Sequence, residues 1–408
     1  MPAGQVSTSD ALSENYFKKM TQALCKAGLY TPSLVVDKVR LDSNLAAVKS
    51  ITEKGFDFRI VVKSLPSIPM LEYIMKSANT QRLMCFHMPF LRYLSEHIPN
   101  ADVLMGKPMP IGNVESYYQF LNKQDGFKFN PTTQLQWLTD SYARVKQYGQ
   151  LAKKLKTVMR INLELDVGLH RGGFTNHEEF SETLNYIKCH DYLTLSGMMG
   201  YEAHITKIPG FIGGPIKAFN NACKLYKGFS DVIIKVMGEG ALENLTLNTG
   251  GSSTYPLYEK PGLMNEISTA SALVKPTDFD VYTLDHHVPA AFIAAPVLKI
   301  IKDPEFPMLK KLSKLMHRIG FLPRKVCFIY GGNWLARPCY PAGSKRANIL
   351  GHSSNQEMYE LKETDNINVD DFMFFRPTQS EAVFLQFGDI AVYEDGKIID
   401  IWPVFENK

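Results

Sequence analysis

Two short stretches of the chain carry side chains suited to covalent chemistry on a small molecule. Residues 59–64, RIVVKS, form an apolar, β-branched run that ends on Lys63. Residues 248–254, NTGGSST, place two glycines ahead of three hydroxyl residues. Gly250 and Gly251 allow close approach of backbone N–H groups, and Ser252, Ser253 and Thr254 add side-chain donors, a combination suited to a phosphate monoester. Between them, other strand-like runs end on His87, Lys107, Asn130, Asp166 with His170 and Arg171, and Tyr201 with His204. Taken singly these are weak signals, because most lysines lie at the surface and a glycine–serine run is also an ordinary turn. An amine on an early strand and a phosphate cup on a late one together suggest a phosphorylated aldehyde held as a Schiff base.

Such groups need a scaffold that brings many strand ends together. Short β-rich runs recur at 60–64, 82–87, 102–108, 126–130, 158–168, 193–201, 245–251 and 262–268. Each is followed by a stretch such as SIPMLEYIMKSA or QLQWLTDSYARVKQYGQLAKKLK, with apolar residues three and four apart as in a helix lying on a sheet. This predicts an α/β chain built on a (β/α)8 TIM-type barrel, with active-site groups at the carboxyl ends of the strands; a doubly wound open sheet gives similar alternation. After Lys275 the texture becomes all-β, with EDGK as a hairpin turn and one helical interruption near PMLKKLSKLMHRIG. The expected organisation is an N-terminal extension over 1–30 that packs with the β domain, a barrel over 31–272 and a C-terminal all-β domain over 273–408.

Bulk properties narrow the function classes. Among 408 residues, 45 Lys+Arg against 41 Asp+Glu give a formal charge of +4, with no basic block to serve as a nucleic-acid track. The six cysteines are scattered without a CxxC pair, as suits reduced thiols. No signal-like N-terminus and no apolar stretch of membrane-spanning length is present, so the expectation is a cytoplasmic protein with neither a nucleic-acid nor a membrane partner.

The set TPSLVVDKVRLDSNLAAV, Lys63 after IVV, LMGKPMP, INLELDVGLHRGGF, GMMGYEAH and NTGGSSTY resembles the alanine-racemase-fold (fold type III) pyridoxal-phosphate enzymes, most of all the D-threonine aldolase and D-serine dehydratase branch. The likeness runs over nearly the whole chain and includes the ending YEDGKIIDIWPV. It implies pyridoxal 5'-phosphate as cofactor, with Lys63 as the lysine that forms the internal aldimine; burial lowers an amine's pKa and makes it nucleophilic toward a carbonyl. Gly250, Gly251, Ser252, Ser253 and Thr254 would hold the phosphate. Tyr201 would lie against the ring or lend its hydroxyl, unless it is a core aromatic. Arg171 would meet the phenolic oxygen or the substrate carboxylate, the alternative being an ion pair with Asp166 or Glu164. His204 is a base or a supporting donor. The resemblance also implies a homodimer.

The sequence departs from that branch at its divalent-metal ligands. Gln379 and Glu381 stand at the usual histidine and cysteine-or-aspartate positions, and Gln356 replaces a further histidine. Glu381 alone is a plausible ligand, for magnesium or manganese, and His286 and His287 can supply at most one substitute between them. The expected activity is aldolase-type cleavage of a small D-β-hydroxy amino acid to glycine and an aldehyde, with His204, His87 or Gln379 positioning the hydroxyl if no metal does. The alternatives are dehydration of a D-serine or D-hydroxyaspartate type substrate, racemisation with Tyr330 or Tyr340 of the partner subunit as second base, and a non-catalytic pyridoxal-phosphate carrier.

Overall fold

A computed structural model describes residues 12–123, 126–305, 310–347 and 351–406. After strand β1 (Ser33–Asp37) come eight strands: β2 (Asp57–Val61), β3 (Arg82–Cys85), β4 (Asp102–Met105), β5 (Leu135–Thr139), β6 (Met159–Leu165), β7 (Leu193–Gly200), β8 (Thr246–Thr249) and β9 (Glu266–Thr269). These eight pair in parallel, and β9 returns to β2, so the barrel expected from the alternation is closed. The connecting helices form for local reasons. Over Ile68–Ala78, Ser67 enters in an extended conformation, Pro69 sits in the first turn, and Met70, Leu71, Ile74, Met75 and Ala78 make one buried stripe before Asn79 stops the helix at φ 49°. Burying each large side chain of that stripe contributes roughly 1.5–3 kcal/mol.

One expected strand is displaced. Residues 126–130 form no strand; Asn130 instead caps the short helix Pro131–Gln134, its Oδ1 accepting from Thr132 N at 3.0 Å. The fourth barrel strand is β5, LQWLT, inside a stretch whose spacing predicts a helix. All five of its residues are buried, so it lacks the alternation of a half-exposed strand, and Ser141 then resets the chain (φ −161°, ψ 152°) into the helix Tyr142–Leu155. Asp140, not Asn130, therefore follows the fourth strand.

The amino-terminal half of the barrel is filled by a polar layer. The fully buried Arg59 donates through Nε and Nη2 to Glu266 at 2.6 and 2.9 Å and pairs with Asp102 at 2.9 Å. Arg82 shares Glu266 Oε2 with Arg59 at 3.0 Å, and Asn248 donates to Oε1 at 2.7 Å. Gln136 donates to Thr246 at 3.0 Å and accepts from Asn162 at 3.1 Å. Burial alone would lower the pKa of Arg59, but Glu266 and Asp102 outweigh it and hold the guanidinium above its ordinary value.

The remaining strands, β10 (Ala291–Lys302), β11 (Lys325–Ile329), β12 (Ala336–Tyr340), β13 (Lys345–Arg346), β14 (Met358–Leu361), β15 (Phe372–Pro377), β16 (Ile390–Glu394) and β17 (Lys397–Trp402), join β1 in a nine-stranded sheet. Its main path runs β13-β14-β11-β10-β1-β16-β17, with β15 pairing both β10 and β12. The β16–β17 hairpin turns at Asp395 (φ 46°) and Gly396 (φ 83°), the left-handed pair that a two-residue loop requires. Phe17, from the helix Glu14–Lys26, packs on Phe292, Tyr340 and Phe374 with ring centroids 4.7–5.5 Å apart. Two compact units result: Met1–Asn44 with Leu273–Asp280 and His287–Val404, and Leu45–Ala272 with Val281–His286 and Phe405–Lys408. No helix among the described residues is long and apolar enough to cross a membrane.

Candidate active site

Lys63 follows β2 in a single 3-10 turn, Val62–Ser64, whose flanking residues Val62 and Ser64 are buried. Its ammonium lies 4.9 Å from the centroid of the Phe86 ring. Phe86 is in turn seated against Gly106, where any Cβ would collide with the ring. Two turns are then joined through residues 271 and 272: Ser64 Oγ accepts from Ser271 Oγ at 3.0 Å, and Ser252 Oγ accepts from the neighbouring Ala272 N at 3.0 Å. This relay ties the Lys63 turn to the glycine–serine turn, although 189 residues separate Lys63 from Ser252 in the sequence.

The 250–254 turn follows β8. Gly250 has φ 82°, and a Cβ on Gly251 would lie 2.7 Å from Tyr201 Cε2, so Tyr201 closes over the turn only because Gly251 has no side chain. The hydroxyls are engaged internally. Ser252 Oγ lies 2.8 Å from Thr269 Oγ1, and Thr254 Oγ1 donates to Glu202 Oε1 at 2.7 Å. Gly250 N and Thr249 Oγ1 donate weakly to Glu202 Oε2, both at 3.4 Å. By contrast, the backbone N–H groups of Gly251, Ser252 and Ser253 have no acceptor among the described residues. Successive amides of this kind form an anion-binding concavity.

The ends of β6 and β7 supply the titratable groups. Asn162 and Glu164 lie on one face of β6, and Asp166 follows it. Burial raises the Glu164 carboxyl to about 7, with Asp140 and Asp166 adding to it and Arg171 opposing. Burial also acts to raise Asp166, but its Oδ1 accepts from Gly168 N and His170 N at 2.9 and 3.0 Å and its Oδ2 faces His170 Nδ1 at 2.7 Å, and these bonds hold its pKa below the ordinary value. Arg171 is not in ion-pair contact with Asp166 or Glu164; its guanidinium carbon stacks 5.0 Å from the Tyr201 ring centroid. His204 Nε2 comes within 3.2 Å of where a Cβ on Gly168 would lie, and its buried Nδ1 has no partner among the described residues. Burial and His170 lower the His204 pKa, so its imidazole is neutral near pH 7.

The structure thus joins Arg171 to Tyr201, Tyr201 to Gly251 and the Lys63 turn to Ser252. His87 and Lys107 line a cavity of about 310 Å³ with Asn113 and with Phe86, the residue whose ring Lys63 also meets, and burial together with Lys107 lowers the His87 pKa. Gln379 Nε2 donates to Asp278 at 2.9 Å, and Glu381 accepts from Ser380 Oγ at 3.2 Å. No cluster of three or more His, Cys, Asp or Glu side chains suited to a metal ion occurs among the described residues. Of the histidine pair, His286 meets Tyr255 OH at 3.2 Å while His287 is buried. Tyr340 is an aromatic-core residue and Tyr330 is exposed. Glu202 escapes the sequence reading although it stands inside GYEAH; the signal was a lone carboxylate between Tyr201 and Ala203, two residues past the end of a strand.

Residues 36–241 match the family described as alanine racemase, N-terminal domain. No curated protein sequence matches the chain. Among solved structures, D-threonine aldolase from Filomicrobium marinum is similar at 13% identity and TM-score 0.73, covering 92% of this chain and 95% of that one. D-threo-3-hydroxyaspartate dehydratase from Delftia sp. HT23 is similar at 12% identity and TM-score 0.67 (93% and 98%). Alanine racemase from Clostridium difficile 630, in complex with cycloserine, is similar at 14% identity and TM-score 0.66 (91% and 97%). At such identities these likenesses establish the shared fold.

Proposed function

Since the chain belongs to the alanine racemase N-terminal domain family, we propose that it is a pyridoxal 5'-phosphate enzyme acting on small D-amino acids, with aldolase-type cleavage of a D-β-hydroxy amino acid to glycine and an aldehyde as its reaction. The observation that carries the reading is the pairing of an amine with an anion cup: Lys63 and the three acceptor-less amides of Gly251, Ser252 and Ser253, tied through Ser64, Ser271 and Ala272. The residues present fit that cofactor. When bound, it supplies an electron sink for a bond broken at the amino acid's Cα.

The chain's own groups do the rest. Lys63 holds the aldehyde end, with the Phe86 face limiting where its amine swings. The amides of the 250–254 turn hold the phosphate end. Tyr201 packs on the turn, and Arg171, stacked on Tyr201, presents its guanidinium fork to a carboxylate or phenolic oxygen. His204, kept neutral, accepts the proton of the substrate's β-hydroxyl. Gln379 and Glu381 do not make a metal site, since the first is an amide held by Asp278 and no third ligand accompanies the second among the described residues.

Purified protein incubated with pyridoxal phosphate should gain a visible absorbance band that borohydride abolishes, leaving the label on Lys63 by peptide mass. Lys63→Ala should lose the label and at least a thousandfold in activity while staying folded. Full activity in that variant would refute the mechanism. D-threonine, D-serine and D-alanine then separate the chemistries. Glycine plus an aldehyde supports the reading, whereas a keto acid, an L-enantiomer or no turnover would replace it with a dehydratase, a racemase or a carrier.

A further inference from the structure

The sequence assigns the hydroxyls of Ser252 and Thr254 to the phosphate, but the structure uses both elsewhere. Ser252 Oγ accepts from Ala272 N at 3.0 Å and from Ala270 N at 3.4 Å while facing Thr269 Oγ1 at 2.8 Å. Thr254 is fully buried, and its hydroxyl is committed to Glu202 at 2.7 Å. Glu202 is itself 1% exposed, and no cation neutralises it within ion-pair distance among the described residues; hydroxyls and one amide surround it. A buried carboxyl without a cationic partner is costly and persists where it fixes a geometry.

We propose that Glu202 is a positioning residue: it clamps both ends of the 250–254 turn, through Gly250 N and Thr254 Oγ1, so that the N–H groups of Gly251, Ser252 and Ser253 converge on a phosphate monoester. This rests on, and deepens, the reading of the site as a pyridoxal-phosphate site. The clamp explains the division of labour within the turn. Hydroxyls can rotate and therefore make poor fixed donors, whereas amides held by a clamped backbone point in one direction without further ordering. Burial raises the Glu202 pKa, against the lowering effect of the hydrogen bonds from Thr254 and the Gly250 amide.

The test compares pyridoxal phosphate, pyridoxal and inorganic phosphate as probes, with affinities measured by fluorescence titration and calorimetry on the full chain. Glu202→Gln and Thr254→Val should each weaken pyridoxal phosphate and inorganic phosphate at least fivefold while changing pyridoxal less than twofold. Glu202→Gln turns one of the clamp's two acceptor oxygens into a donor amide and Thr254→Val removes a clamped hydroxyl; because both break the same clamp, the double variant should lose no more than the worse single variant. A folded Glu202→Gln protein with unchanged phosphate affinity overturns the proposal, as does equal loss of pyridoxal, which would mark a merely structural role. Additive losses overturn it too, since they would make Thr254 a direct ligand. Should Glu202→Gln fail to fold, Thr254→Val carries the same three readouts. Glu202-dependent binding of inorganic phosphate without any Lys63 label would uphold the clamp and reject the enzymatic reading; a Lys63 label with no preference for the phosphorylated aldehyde would do the reverse.

Discussion

The two ends of the barrel are both polar, yet they satisfy their polar groups in opposite ways. At the amino-terminal end every charge of the layer has a counter-charge: Arg59 and Arg82 with Glu266, Arg59 with Asp102, and Arg82 with Asp57 at 2.8 Å. At the carboxyl end, Glu164 has its pKa pushed to about 7, His204 Nδ1 is buried without a partner among the described residues, and three successive amides lack acceptors. Polar residues inside a barrel therefore do not by themselves mark a site. What marks it is unused capacity gathered in one place, three consecutive amides beside a carboxyl of raised pKa, whereas the paired layer leaves Asn162 Oδ1 without a partner among the described residues; a bound ligand recovers the free energy that such groups cost.

The largest effect should come from breaking the paired end. Arg59→Met fits an apolar chain into the space but leaves the buried Glu266 with Arg82 and Asn248 alone and takes the ion pair from the half-buried Asp102, and should cost about 3 kcal/mol in urea unfolding. Lys63→Met replaces a mouth cation that packs on the Phe86 ring with an apolar chain of similar length, and should change stability by less than about 1 kcal/mol while abolishing the covalent label. Equal destabilisation by the two substitutions would erase the distinction between the ends.

How much of this contrast was legible follows from the range of the interactions. INLELDVG shows its inward face directly, because Asn162, Glu164 and Asp166 alternate along one strand and its continuation. RIVVKS and TGGSST are likewise local patterns. Arg59 and Glu266 lie 207 residues apart, and Glu202 and Thr254 lie 52 apart, so no spacing rule connects them. Nothing within RIVVKS marks Arg59 as an inward residue, and it is the closed barrel that buries it. The β5 strand was hidden for a different reason: with Trp137 packed on Tyr118 and Tyr148 outside and Gln136 inside, both faces are buried and its run carries no strand-like period.

Glu164 offers a graded probe of the mouth. Its folded-state pKa, about 7, lies above the ordinary 4.5, so the native state binds the proton more tightly than the unfolded chain. The stability it contributes is present below pH 4.5 and is lost as pH rises through about 7. In protein free of cofactor, Glu164→Gln should remove on the order of 3 kcal/mol of pH-dependent stability across that window, read as a flatter profile of urea midpoints against pH. An unchanged profile would show that the carboxyl is better paired than its surroundings indicate.

Glycine replacement gives the smallest effects and the sharpest contrast, because two glycines share one backbone conformation in different surroundings. Gly250 has φ 82° and Gly396 has φ 83°. An L-side chain in that left-handed region costs about 1–2 kcal/mol at either position. At Gly250 the new Cβ also meets Ile267 Cγ2 at 3.0 Å, and the amide it displaces is the one that Glu202 holds. At Gly396, in the β16–β17 hairpin, no atom lies within 4 Å. Gly250→Ala should therefore lose the common backbone increment, something further for the contact, and several-fold in affinity for inorganic phosphate. Gly396→Ala should lose the backbone increment alone, with phosphate binding untouched. If phosphate affinity fell equally in both, loss of stability and not the shape of the turn would govern binding, and the anion cup would have no special claim on Gly250.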